Sequence, residues 1–87
     1  MTPMEKCVGY FVDQQNRRLA EAGSKAKIAA ELGDDRNPAL LVVAVHKDDV
    51  TTCAAVSIAG TEIQVARSAA RTIIETTNKV LSEAVTP

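Results

Sequence analysis

The sequence predicts an α+β fold in which a first helix, an antiparallel β-hairpin and a long C-terminal helix follow one another, an α-β-β-α order in one domain over 1–87. Three observations predict it. Apolar residues recur at three- and four-residue spacing after the amino terminus. A β-branched run from Ala39 to Val45 is answered by a second one ending at Ile58. A helical stripe then continues from Ile63 to Ala84 without a breaker.

The first helix, expected over about 3–32, opens on a start signal. Thr2 can cap the first turn, Pro3 fits the first helical position, and Glu5 completes a capping box. Met4, Cys7, Val8, Phe11, Val12, Leu19 and Ala22 form the apolar stripe, with Asp13 and Arg17, and Glu21 and Lys25, as charge pairs four residues apart. Gly23-Ser24 predicts a kink near 23–24, because Gly costs about 1 kcal/mol relative to Ala inside a helix. Ala26, Ile28, Ala29 and Leu32 carry the stripe onward, Gly33 suits a left-handed cap, and 34–38 is a polar loop closed by Pro38.

Strands are expected at about 39–46 and 50–58. The first is apolar on both faces. The second separates Val50, Ala54, Val56 and Ile58 from Thr51, Cys53 and Ser57. A two-residue turn pairs Val43 with Ala54 and a three-residue turn pairs it with Cys53; the former is preferred. The last helix, over about 62–84, starts at a Thr61-x-x-Gln64 capping box. Its expected stripe is Ile63, Ala66, Ala70, Ile73, Thr77, Val80 and Ala84, widened by Ile74 and Leu81.

Length and composition argue that one copy is incomplete. A chain of 87 residues has a thin stability margin. With 46% hydrophobic but only 2% aromatic residues, its core is built of small side chains. A lone hairpin is marginal in water, and a strand apolar on both faces asks for cover on both. Helices supplied by one copy would cover one face and leave the other bare. The expectation is therefore a homo-oligomer, joined edge to edge into a larger sheet or through the last helix as a helix bundle.

Ten basic and eleven acidic residues are interspersed, for a net charge of −1, which argues against a nucleic-acid binder. The longest apolar run, Ala39 to Val45, is far short of the roughly 18 residues of a membrane span, and the amino terminus lacks the layout of a signal segment. Cys7 on a helix stripe and Cys53 in a strand read as reduced, small hydrophobes in the cytoplasm, not as a metal motif.

Chemistry is sparse. His46 lies beside Lys47, Asp48 and Asp49 at the turn, where neighbouring carboxylates diverge and cannot make a closed metal site. Cys53 and His46 share a strand face, two positions out of register, which does not make a nucleophilic dyad. Gly60 and Thr61 lead from a strand into a helix, so backbone N-H groups there, with Arg67 and Arg71 downstream, are the candidate small-anion site. Tyr10, Arg17 and Arg18 on the first helix are the candidate partner-binding residues. No metal or cofactor is expected.

The sequence thus points to a non-enzymatic, homo-oligomeric binding or adaptor protein acting through protein-protein contacts. The alternative is a protein that sequesters a small anionic ligand or nucleotide between subunits. Either role would suit an accessory protein of a phage or mobile element, an analogy of scale alone.

Overall fold

The first helix, α1, spans Pro3–Glu21 and its end is set by a glycine. Gly23 takes φ 78°, where L-residues are strained, while its N-H bonds the Ala20 carbonyl at 3.0 Å and the Ser24 N-H bonds Leu19 at 2.9 Å. This is a C-terminal cap that satisfies the last carbonyls, so the chain leaves the helix rather than kinking within it. The computed structural model describes residues 3–33 and 38–85; the expected Thr2 cap, the loop at 34–37 and the Ala84 side chain lie outside the described residues.

The continuation of the helix to residue 32 is overturned. Lys27–Leu32 forms a strand, β1, and Glu21 and Lys25 do not share a helix. Its burial alternates in period two: Ile28 is buried between exposed Lys27 and Ala29, and Leu32 packs against the core beyond exposed Glu31. Lys, Ala, Glu and Leu favour helices intrinsically, but tertiary pairing prevails here. The Asn16 side chain of α1 receives the Ile28 N-H at 2.7 Å and donates to the Ile28 carbonyl at 2.9 Å, fixing the strand against the helix.

β2 (Ala39–Lys47) pairs antiparallel with β1 on one side and with β3 (Val50–Ile58) on the other, giving a three-stranded sheet of order β1-β2-β3. The architecture is α-β-β-β-α, one strand more than the sequence suggested. The hairpin adopts the two-residue-turn register, Val43 opposite Ala54 and Ala44 opposite Cys53. Asp48 takes φ 56° at the turn, as a primed hairpin turn requires of its first central residue.

α2, Glu62–Val85, begins with the expected capping box: Thr61 N-H donates to Gln64 Oε1 at 2.9 Å and Gln64 N-H to Thr61 Oγ1 at 3.3 Å. Its buried row is Val65, Ala69, Ile73, Thr77 and Val80. The expected stripe therefore holds in the C-terminal half only; Ala66 and Ala70 sit half-buried beside the row, and Ile63 is 67% exposed. Thr77 is fully buried with its hydroxyl bonded to the Ile73 carbonyl at 3.1 Å, so its burial leaves no polar atom unsatisfied.

Both helices lie on one face of the sheet. On that inner face Ile28, Ala39, Leu41, Val43 and Ile58 meet Val8 and Leu19 of α1 and the buried row of α2, with Met4, Phe11 and Val12 packed around them. α1 packs chiefly on β1 and α2, and α2 reaches each strand more lightly. The chain measures 41 × 20 × 19 Å, and its radius of gyration of 13.1 Å exceeds the about 12 Å expected at this length.

Candidate interaction surface

Strand alternation sorts the sheet into two unlike faces. Opposite the helices, β2 presents Leu40, Val42 and Ala44, flanked by Ala29 on β1 and by Cys53 and Ala55 on β3. Among the described residues no helix covers this outer face. Leu40 is 42% exposed and Cys53 and Ala55 are exposed, while Val42 and Ala44 are half-sheltered by their neighbours. Polar groups frame the patch: Lys27 and Glu31 on β1, and at one end His46, whose Nδ1 shares a hydrogen bond of 2.9 Å with the Thr51 hydroxyl. A contiguous apolar face rimmed by polar residues is the usual form of an interaction site.

A second uncovered region lies on the inner face at β3. Val50 is 65% and Val56 39% exposed, although both point to the helix side. Between Val56 and α2 runs a groove of about 300 Å³, lined also by Val43, Thr52, Ala54, Thr76 and Val80, with Lys79 and Glu83. Thr72 and Thr76 bond back to Ser68 and Thr72 carbonyls at 2.9 and 2.7 Å, so their methyls can face the groove. The groove is apolar and lacks convergent polar groups.

The residues singled out in the sequence fall in separate places. Gly60, with φ 134°, turns the chain from β3 into α2, and an added Cβ would run into Gln64. The N-H groups of Thr61 and Gln64 are engaged by the capping box, and Arg67 and Arg71 stand exposed one turn apart further along α2. Tyr10 is 60% exposed, packs edge-on to Phe11 with ring centroids 5.8 Å apart, and accepts a hydrogen bond from Gln14 at 2.8 Å. Arg17 is exposed. Arg18 donates to Gln15 Oε1 at 2.7 Å and to Asn78 Oδ1 at 3.0 Å, bracing α1 against α2 while remaining exposed.

Cys53 departs from expectation. It is a free thiol exposed on the outer face rather than a buried small hydrophobe, whereas Cys7 is free and half-buried on α1. Among the described residues no three His, Cys, Asp or Glu side chains converge as metal ligands, and no helix is long and apolar enough to cross a membrane. Sequence reasoning missed the buried Gln15 and the strand-clamping Asn16. Neither has a local signal, since each acts through a residue on another turn or element.

The class defined by these features is an α+β protein with a one-sided, three-stranded sheet and two helices on its other face. Comparison with protein-family models, curated proteins and solved structures finds nothing that matches the chain.

Proposed function

We propose that the chain is a non-enzymatic binding protein that self-associates and presents its outer sheet face to another protein inside the cell. The observation that carries this reading is the apolar strip Leu40, Val42 and Ala44 at the centre of the sheet's outer face. Each methylene withdrawn from water there is worth about 0.8 kcal/mol, and burial within the chain leaves the strip unused. Free Cys7 and Cys53, the latter exposed, suit a reducing compartment. Tyr10 and Arg17 on α1 offer a further polar and aromatic contact area on the opposite side of the molecule.

The test is a pair of substitutions on the strip, Leu40→Lys and Val42→Lys, made together. Both side chains point away from the core, so the doubly substituted chain is expected to keep its circular dichroism spectrum. Its affinity for a stoichiometric protein partner isolated with the unaltered chain is expected to fall at least tenfold. Undiminished binding would remove the outer face from consideration.

A further inference from the structure

We propose that two copies of this chain join through β3, antiparallel about a two-fold axis at Ala54, forming one six-stranded sheet. This deepens the reading of self-association given above by naming the surface and its register.

The two edges of the sheet are built differently. The β1 edge is occupied at one position, where Asn16 takes both backbone groups of Ile28, and the strand carries the charges Lys27 and Glu31. Among the described residues β3 has none of the devices that guard an edge strand. Its nine residues include no charge and no proline, and its ladder with β2 runs without a bulge from Val50 to Ile58.

Backbone parity shows what this edge offers. The Gly33 N-H bonds the Leu40 carbonyl at 2.6 Å, which turns the even-numbered residues of β2 toward β1 and its odd-numbered residues toward β3. In β3 the partners of those odd residues are Val50, Thr52, Ala54, Val56 and Ile58. The N-H and C=O groups of Thr51, Cys53, Ala55 and Ser57 therefore point outward, available to another strand.

Self-pairing fits this pattern. About a two-fold axis, residues of equal parity meet, so outward groups face outward groups and like faces adjoin. Only an axis at Ala54 overlaps the whole strand, setting Val50 opposite Ile58 and Thr52 opposite Val56 of the second copy. Ala54 then meets its own counterpart in a non-hydrogen-bonded pair, where Cα atoms approach to about 4.5 Å and a small side chain is needed. No like charges are brought together. The exposed inner-face Val50 and Val56 come under cover as the two α2 grooves close over the seam.

The area agrees. The chain exposes 6062 Å², against about 4,900 Å² expected for a compact protein of 9.2 kDa. The excess, about 1,200 Å², is more than the about 800 Å² that one partner hides in a standard interface, so there is surface enough for one.

Light scattering on the full chain at tens of micromolar is expected to give twice the 9.2 kDa chain mass. Ala54→Lys and Ala54→Glu are each expected to halve it, and an equimolar mixture to restore it, which a folding defect would not do. Ala55→Pro removes an outward N-H without touching the β2 ladder, and is expected to halve the mass with an unchanged circular dichroism spectrum. A chain mass of 9.2 kDa for the unaltered protein overturns both this pairing and the self-association beneath it. A dimer that survives all three substitutions but is lost with Leu40→Lys and Val42→Lys overturns the edge pairing alone, as does a mixture that fails to reassociate.

Discussion

Replacing Asn16 with alanine tests why residues 27–32 form a strand. The Asn16 amide makes two hydrogen bonds to the backbone of Ile28, whose side chain is buried beneath α1. Each such bond contributes a net of about 0.5–1.5 kcal/mol, and a buried group left without a partner costs about 1–3 kcal/mol. Asn16 is partly exposed, so water recovers part of what the two orphaned groups lose. The better helix propensity of alanine returns at most about 0.7 kcal/mol. The net expectation is a loss of about 2 kcal/mol, or about 8–16 °C in Tm for a domain of this size.

Urea denaturation at one fixed protein concentration measures this, since association would make stability depend on concentration. Amide exchange should accelerate at Ile28 more than at Val43 in the central strand. Asn16→Asp separates the two bonds: its carboxylate still accepts the Ile28 N-H but faces the Ile28 carbonyl with a second acceptor, so it should not recover the full stability. An Asn16→Ala protein within about 0.5 kcal/mol of the unaltered chain, the range of an ordinary surface substitution, would refute the clamp.

Two further substitutions probe the helix ends and the buried row. Gly23→Ala places an L-residue at φ 78°; nothing lies within 4 Å of the added Cβ, so the expected loss of about 1–2 kcal/mol is backbone strain alone, and thermal melting with no loss would contradict the cap. Thr77→Val keeps the shape of a fully buried side chain and removes only a hydroxyl whose acceptor, the Ile73 carbonyl, lies in the same helix. Stability should change by less than about 1 kcal/mol, and a larger loss in a urea titration would show that the hydroxyl holds more than its own turn.

What could be read from the sequence was what is decided locally. The Thr61–Gln64 box and the hairpin turn depend on residues within a few positions of one another, and both formed as expected. β1 was illegible because its residues are helix formers and its reason for being extended lies outside it, in Asn16 and in β2. The phase of α2 failed for a related reason. Val65 with Ala69 and Ala66 with Ala70 are adjacent rows of nearly equal hydrophobicity, and only packing against α1 and the sheet distinguishes them. Arg18 illustrates the same limit at the surface. Its pattern on α1 resembled a binding face, yet one of its partners, Asn78, is sixty residues away on α2.

α1 is offset toward the β1 side of the sheet, and this offset contributes to the difference between its edges. The connection from α1 to β1 is a glycine-capped turn, so the helix must lie close beside the strand that follows it; it sits over the β1 side, where Asn16 can reach the strand's outer groups. α2 then packs against α1, and Arg18 of α1 bonds Asn78 of α2 at 3.0 Å. α2 reaches all three strands but lightly, and the groove between it and β3 leaves Val56 partly exposed. In the pairing proposed above, a second copy at the β3 edge would shelter the exposed strand and leave the α1–α2 contact intact.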